Sequence, residues 1–249
     1  MNTVKACWKL ARALLHILGG MLTIMVIFPR LSQEKKEIRI QAWSVEMLGC
    51  LAIKLIVLGK PVSSGPMLLV ANHISWLDIT SLHASRYCRF VSKADVRQWP
   101  VIGALAAGVG TLFIERESRR DAMRVVKHMA KSLREGDVLA VFPEGTTSDG
   151  QNLLPFHANL IQAAISADAP VQPVALQFAD AATGQRSQAP SYINDDTLLG
   201  SIWRTLTAPP LCAILTFGDP QWAQGRDRRA WAADLHMAVE GLRASATAP

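Results

Sequence analysis

Charged residues are scarce in this 249-residue sequence. Only 18% of the residues are charged and 50% are hydrophobic, a composition that excludes disordered, collagen-like and coiled-coil proteins. The mean hydropathy of +0.18 is high for a freely soluble protein but too low for a protein with many membrane spans. The length predicts one domain with a short appendage.

Cysteine is sparse as well. The four cysteines lie far apart, without a C-x-x-C pair or a histidine at zinc-ligand spacing. This spacing argues against a disulfide scaffold or a zinc site and favours small buried side chains in a reducing compartment. No G-x-S-x-G turn, P-loop or G-x-G-x-x-G loop lies between a strand and a helix, so the sequence gives no sign of the functions that these motifs indicate.

Positive charge is concentrated at one end of the chain. Residues 1–60 hold nine lysines and arginines against three glutamates, so the whole net charge of +6 lies there and the remainder is neutral. A nucleic-acid-binding protein is expected to carry its basic residues on the folded domain. The pattern instead favours contact with an anionic lipid surface.

Two apolar segments, 13–28 and 43–58, lie within this basic region. A signal peptide lacks support because no small-residue cleavage site follows the first segment. A single membrane span and two helices that pack on the domain stay open as alternatives. Two helices that enter one membrane leaflet and return fit the basic turn between the segments best. We therefore expect a membrane-anchoring region over 1–60 and an α/β domain over 61–249.

From residue 66 onward, short β-rich runs alternate with helical patterns. The clearest helix is 118–135, capped by Ser118 and ended by Gly136. A closing helix is predicted over 226–246, and the turn-rich residues 180–200 are predicted to form a surface excursion. The fold class is α/β, with a central, mostly parallel sheet flanked by helices. Strands are predicted at 67–71, 88–92, 111–115, 138–142, 171–177 and 212–217.

A histidine and an aspartate five residues apart follow the first strand of this domain, in the segment Asn72–Asp78. Five residues are too far round a helix for both side chains to share a face. If His73 lies in the turn that leaves the strand and Asp78 lies in the first turn of the next helix, the carboxylate reaches the imidazole. A general base needs this arrangement, but the spacing alone is a weak signal.

Three further segments strengthen the signal: Gly110–Arg116, Phe142–Ser148 and Val171–Leu176. The first two place an arginine and a carboxylate at the ends of strands. The third contains Pro173, which predicts an edge strand or a bulge. Because ligands of open α/β sheets gather at the carboxyl ends of strands, His73, Arg116 and Glu144 are expected to meet in one crevice.

Taken together and in this order, the segments resemble the motifs NHxxxxD, GxxFIxR, FPEGT and V-P-V-A of the glycerolipid acyltransferase family, specifically the 1-acylglycerol-3-phosphate acyltransferases. The resemblance runs from about Gly65 to Leu176 and includes Lys93 and Pro100–Gly103, where the family has a K…PxxG stretch. It implies transfer of a fatty acyl group from coenzyme A or acyl carrier protein to a lysolipid hydroxyl, without a metal or a cofactor.

The resemblance also implies roles for individual residues. His73 would take the proton from the acceptor hydroxyl, and Asp78 would orient His73. Arg116 would hold the acceptor phosphate, while Glu144 and the backbone after it would position the acceptor head. The substrate-binding residues implied in this way are Asn72, Phe113, Arg116, Glu144, Gly145, Thr146 and Thr147.

The sequence departs from the pattern of enzymes that form phosphatidate at two positions. Thr147 stands where the family usually has arginine, and His157 stands where lysine is common. Lysophosphatidate is the expected acceptor because it is the commonest in the family, but related enzymes that act on lyso-ornithine lipid or other lysophospholipids resemble this FPEGTT form.

Three rival functions are weighed against acyl transfer. A thioesterase would use the His73–Asp78 pair with water but would not need Arg116 and Glu144. A catalytically idle membrane protein would not need the pair at all, and a nucleic-acid-binding protein would need a basic folded domain. We expect an enzyme that binds lysolipid and acyl-thioester substrates and no nucleic acid, at an anionic membrane surface with its catalytic domain on the cytoplasmic face.

Overall fold

The computed structural model describes residues 3–114, 119–193 and 195–245. Within them the strands are β1 (Ile53–Leu58), β2 (Met67–Ala71), β3 (Arg89–Lys93), β4 (Leu112–Ile114), β5 (Val138–Val141), β6 (Val171–Asp180) and β7 (Leu211–Phe217). The α-helices are α1 (Thr3–Leu22), α2 (Gln33–Cys50), α3 (Leu77–Ser85), α4 (Ile102–Gly108), α5 (Arg119–Arg134), α6 (Ala158–Ala167), α7 (Leu198–Thr207) and α8 (Arg228–Ser245).

The described strands form one sheet in the order β1-β7-β6-β2-β5-β3-β4. All neighbouring pairs are parallel except β6 and β7, which are antiparallel. The prediction of a central, mostly parallel sheet flanked by helices is therefore confirmed. The carboxyl ends of β2, β5, β3 and β4 lie along the same edge of the sheet, where ligands of α/β proteins bind.

Alternate side chains of β2 divide the core into two layers. Met67, Leu69 and Ala71 belong to a cluster shared with α2, α3 and the end of α7. Leu68 and Val70 belong to a cluster shared with α5, α6 and α8. Every residue of β2 is buried because helices cover both faces of the strand.

The apolar segment 43–58 is not a single helix, which corrects the expectation from its composition. Its first part belongs to α2, which ends at Cys50, and Ala52 takes a positive φ of 58°. Residues 53–58 then form β1, which pairs in parallel with β7 from Ile53 opposite Leu211 to Leu58 opposite Thr216. Part of the segment that we expected to enter the membrane therefore belongs to the sheet.

Pro173 predicted an edge strand or a bulge, and the first of these alternatives is wrong, since β6 lies between β7 and β2. The proline is tolerated because regular pairing of β6 with β7 stops at Val174 opposite Phe217. The Gln172 side chain donates a hydrogen bond of 2.8 Å to the Gly218 carbonyl, next to the proline that has no N–H to give.

The N-terminal helical run continues from α1 through a π-helical turn to Arg30. It is 28 residues long, and its most apolar stretch of 18 residues has a mean hydropathy of 1.9 and is 11% buried. By length and composition it could cross a membrane. The buried residues of α1, Ala6, Ala13 and Gly20, recur every seven positions. This seam of small residues faces the rest of the protein, and larger apolar side chains on the other side are exposed.

Candidate active site

The expected meeting of His73 and Glu144 is observed at the carboxyl edge of the sheet. His73 follows β2 and Glu144 follows β5, and these two strands are parallel neighbours. The His73 backbone N–H donates a hydrogen bond of 2.7 Å to Oε1 of Glu144. Arg116, the third residue expected here, lies outside the described residues.

His73 and Asp78 form a hydrogen-bonded pair. Nδ1 of His73 lies 2.7 Å from Oδ2 of Asp78. Because a carboxylate can only accept, this contact assigns the proton to Nδ1 and leaves the lone pair on Nε2. Nε2 makes no hydrogen bond to any described residue, and 20% of the His73 side chain is exposed. The ring can therefore accept a proton from a bound hydroxyl.

Asp78 lies in the first turn of α3, as the spacing predicted, and its side chain is fully buried. Oδ2 also accepts hydrogen bonds from the backbone N–H groups of Ile74, at 2.6 Å, and Ser75, at 2.9 Å. These donors fix the carboxylate in the turn that carries His73. The chain between the two residues thus folds around the aspartate, which is why the five-residue spacing works.

Glu144 joins two loops through its carboxylate. Oε1 binds the backbone of His73, and Oε2 accepts a hydrogen bond of 3.0 Å from the Leu154 backbone N–H. Burial raises the pKa of Glu144, and the two backbone donors oppose that rise. With both oxygens occupied inside the protein, the carboxylate supports the backbone of the site.

Asn72 has a supporting position too, although the sequence motif implied a substrate contact. Its side-chain amide donates a hydrogen bond of 3.0 Å to the Leu176 carbonyl and accepts one of 2.7 Å from the Leu176 N–H. The residue is 1% exposed. These contacts tie the end of β2 to β6 at a buried position.

Phe142 supports the His73 ring and was missed in the sequence. The two rings stack with centroids 4.1 Å apart and planes 7° apart. Phe142 is in turn stacked on Phe90 of β3, at 5.7 Å. The only signal available was an aromatic residue directly before Pro143 and Glu144. Such stacking fixes the plane of the imidazole.

Gly145, Thr146 and Thr147 form a turn after Glu144, in which the first two residues are exposed and Thr147 is half-buried. Gly145 has a φ of +74°, and a Cβ there would lie 3.0 Å from the His157 ring, so both the backbone and its neighbour favour glycine. The backbone N–H groups of Thr146 and Thr147 make no hydrogen bond to any described residue. They are available to an acceptor or anion at this edge.

Cationic side chains lie along the same edge near β3 and β4. Lys93 ends β3, and Arg97 follows in the 3₁₀ helix Ala94–Gln98. Both are exposed, and neither forms an ion pair within the described part of the chain. The Arg97 guanidinium lies 5.9 Å from the centre of the Phe113 ring, which places that predicted residue beside a cation.

The turn-rich segment 180–200 is more than the surface excursion that we predicted. The Tyr192 backbone N–H donates a hydrogen bond of 3.1 Å to the Ile74 carbonyl. The Thr147 hydroxyl donates to the Tyr192 carbonyl, and the Ser75 hydroxyl donates to the Pro190 carbonyl. Part of this segment therefore covers the turn that carries His73.

The sequence is similar to those of known acyltransferases. The sequence model of the family described as Acyltransferase matches residues 54–177. The lyso-ornithine lipid O-acyltransferase of Pseudomonas aeruginosa is 39% identical over 197 residues, which cover 79% of this chain and 75% of that protein. The 1-acyl-sn-glycerol-3-phosphate acyltransferase of Neisseria gonorrhoeae is 40% identical over 161 residues, which cover 64% of this chain and 62% of that protein.

The fold has a match among solved structures. The crystal structure of the 1-acyl-sn-glycerophosphate acyltransferase PlsC from Thermotoga maritima superposes with a TM-score of 0.70. It covers 99% of this chain and 98% of that protein at 20% sequence identity, which supports a common fold. The match to the family model and the identity to the Pseudomonas protein show the family as well as the fold. The chain belongs to the glycerolipid acyltransferase family and is an O-acyltransferase.

Proposed function

We propose that the protein moves a fatty acyl group from an acyl-thioester to the free hydroxyl of a lysolipid, with His73 as general base. The observation that carries this proposal is the His73–Asp78 pair, in which one ring nitrogen is held by a buried carboxylate and the other is free. As the hydroxyl attacks the thioester carbonyl, Nε2 takes its proton. When the C–S bond then breaks, the imidazolium returns this proton to the sulfur, and the free thiol leaves. A thioester is already activated, so the step needs no covalent enzyme intermediate. General bases of this kind contribute about 10²–10⁴-fold in rate.

Asp78 stabilises the imidazolium that forms and keeps the ring in the required tautomer. Glu144 acts through the backbone, since its two oxygens hold the loops that carry His73 and Leu154. The free N–H groups of Thr146 and Thr147 bind the acceptor head. No residue in this scheme calls for a metal or a cofactor.

The acceptor that we propose is 1-acyl-sn-glycerol-3-phosphate, with phosphatidate as the product. Lys93 and Arg97 support this choice because they stand unpaired, within the described residues, at the edge where His73 lies. Arg116 adds a third cation through its motif. Several cations around one phosphate are typical of sites that bind phosphate monoesters.

Lyso-ornithine lipid is the second candidate, and Thr147 is the observation that favours it. The residue replaces the arginine usual in the phosphatidate-forming enzymes, and its hydroxyl is occupied by the Tyr192 carbonyl. The Pseudomonas and Brucella abortus relatives, 39% and 34% identical, are both named lyso-ornithine lipid O-acyltransferases. An acceptor without a phosphate needs less positive charge at this turn.

Membrane attachment through the N-terminal helical run, which ends at Arg30, is part of the proposal. The exposed apolar side of α1 would lie in one leaflet, with the basic residues of this region against anionic headgroups and the catalytic domain on the cytoplasmic face. Coenzyme A and acyl carrier protein are both compatible donor carriers.

The test is thiol release from oleoyl-coenzyme A by the detergent-purified protein, with lysophosphatidate, lyso-ornithine lipid or no acceptor. We expect release that depends on an acceptor, is fastest with lysophosphatidate, and falls by about 10²–10⁴-fold in His73→Ala. His128→Ala on α5 is the matched control, because this histidine is exposed and distant from the pair in sequence. Equal release without an acceptor would instead identify a thioesterase, and faster release with lyso-ornithine lipid would select the second candidate. Acyl carrier protein as the donor is tested in the same assay.

A further inference from the structure

We propose that residues Trp99–Ile102, here called the tip, form a second membrane-inserting element that holds the active-site edge against the lipid surface. Trp99 is 47% exposed, Val101 is 42% exposed and Ile102 is 37% exposed. Three large apolar side chains exposed within four residues are unusual on a surface that faces only water. The tip lies in the α/β domain and is separate from the N-terminal helices.

The backbone holds these side chains outward. The Ile102 N–H donates a hydrogen bond of 2.7 Å to the Pro100 carbonyl, and Val101 between them has φ 65° and ψ −57°. This is a γ-turn with positive φ, which a β-branched residue rarely adopts. Gly103 follows, and a Cβ there would lie 2.2 Å from the Arg97 carbonyl oxygen. Close backbone packing therefore fixes the base of the tip.

Helix α4 connects the tip to the N-terminal run, whose exposed side is apolar. Helix α4 begins at Ile102, and its last residue, Gly108, packs so closely on Ile24 that a Cβ would lie 2.6 Å from that side chain. Seven helical residues span about 10 Å, so the tip lies about one short helix away from this contact with the N-terminal run. Nearby positions of the run, Leu22, Met25 and Val26, are also exposed.

The charge around the tip favours a lipid surface over a protein partner as its occupant. Lys93 and Arg97 precede the tip and are exposed, and the neighbouring N-terminal region carries the whole net positive charge of the chain. Tryptophan is favoured at the boundary between lipid headgroups and acyl chains, and cations next to it attract anionic headgroups.

Insertion of the tip has a consequence for the reaction. The tip follows β3, and β3 neighbours β5, whose end carries Phe142 against the His73 ring. The tip and His73 therefore share one edge of the sheet. A tip in the membrane places this edge at the surface where a lysolipid lies, so the acceptor reaches His73 without leaving the leaflet.

A fluorescent label tests insertion in the full-length protein. Cys7 is the exposed cysteine among four free ones, so Cys7→Ser provides a background in which an NBD label attaches to Ile102→Cys. The control is Met237→Cys. Met237 is 64% exposed on α8, which packs on the other face of the sheet from α2 and α3. With phosphatidylcholine–phosphatidylglycerol vesicles, we expect the emission at 102 to increase and shift to the blue, and the emission at 237 to stay unchanged. The proposal is overturned if the label at 102 behaves like the one at 237. This holds even if a label at Leu15→Cys shows that α1 inserts, because α1 can enter the membrane without the tip.

A second test of the proposal measures the rate of acyl transfer. Val101→Asp introduces a residue that adopts positive φ more readily than valine, and it replaces an apolar side chain with a charge that anionic lipid repels. We expect about a tenfold loss of acyl transfer to a lysolipid embedded in anionic vesicles. Transfer to a dispersed short-chain lysolipid should be unchanged, as should both activities in Met237→Asp. An equal loss on both substrates would contradict the proposal. Activity of the unmodified protein on the dispersed substrate tests the acyl-transfer function separately.

Discussion

Single residues of this site act on the backbone as much as on a substrate. Asp78 accepts from Ile74 and Ser75 besides His73, and Glu144 accepts from His73 and from Leu154. The two carboxylates of the site therefore have different tasks. One orients the histidine side chain, and the other holds the backbone from which that side chain extends.

This division predicts the effect of Glu144→Gln. A glutamine can accept with one oxygen, but its NH₂ group would face the other backbone N–H and leave it unpaired. A buried unpaired donor costs about 1–3 kcal/mol, so we expect the free energy of unfolding to fall by about that amount and kcat to fall with it. Urea unfolding in detergent and the thiol-release assay measure the two effects.

Glu135→Gln on α5 is the control for that change, because Glu135 is 57% exposed and contacts only Lys131 at 3.7 Å among the described residues. Its stability is expected to stay within about 0.5 kcal/mol of the unmodified protein. If Glu144→Gln behaves like this control, the two backbone hydrogen bonds do not hold the site.

At the scale of elements, the sequence predicted those strands whose flanks carry clear turn signals. β2 matches its predicted bounds, and the other five predicted strands differ by a few residues at their ends. β1 was missed because a short apolar run bounded by other apolar residues does not distinguish a buried strand from a helix. The β-branched residues Ile53, Ile56 and Val57, followed by Gly59, were the available signal.

The site was predictable in part for a related reason. Spacing identified His73 and Asp78, because the motif itself builds the turn and the first helical residues. Phe142 contacts the His73 ring across 69 positions of the sequence, and Tyr192 contacts the Ile74 backbone beside it across 118 positions. No local pattern records such contacts, so they could not be inferred before the fold was known.

Helix α3 contains a buried group that makes stability depend on pH. Burial lowers the pKa of His83 to about 4, and the ring is stacked on Phe90 with centroids 5.0 Å apart. Between pH 6.5 and 4 the unfolded chain binds a proton at this histidine that the folded chain does not. The free energy of unfolding therefore falls as the pH falls through this window, by about 3 kcal/mol in full.

His83→Phe removes that proton uptake while keeping a flat ring against Phe90. We expect the variant to lose less stability than the unmodified protein between pH 7 and pH 4.5, as measured by urea unfolding at both values. His128→Asn on α5 should leave the pH dependence unchanged, because that side chain is exposed. Equal pH dependence in the His83 variant and the unmodified protein would show that folding does not lower the pKa of this histidine.

At the scale of the whole molecule, α1 is attached to the domain by a narrow seam and presents its other side outward. Gly20 completes the seam of Ala6 and Ala13, and it contacts Trp43 of α2. Trp43 is further tied to α1 through its Nε1 donor, which binds the His16 carbonyl at 3.2 Å. The position of α1, the helix that would contact lipid, is therefore fixed relative to α2, the helix that packs on the sheet, by the contacts along this seam.

Two adjacent glycines test this attachment. A Cβ at Gly20 would lie 2.6 Å from Nε1 of Trp43, whereas a Cβ at Gly19 would have no neighbour within 4 Å. We expect Gly20→Val to force the helices apart and lower the free energy of unfolding by about 1–3 kcal/mol, as overpacking does. Gly19→Val makes the same chemical change in the same helix and should leave stability nearly unchanged. Thermal unfolding in detergent and the rate of proteolysis between α1 and α2 measure the difference. If both variants behave alike, α1 is held by the lipid or detergent around it and not by the seam, and the outer side of the helix alone sets its position.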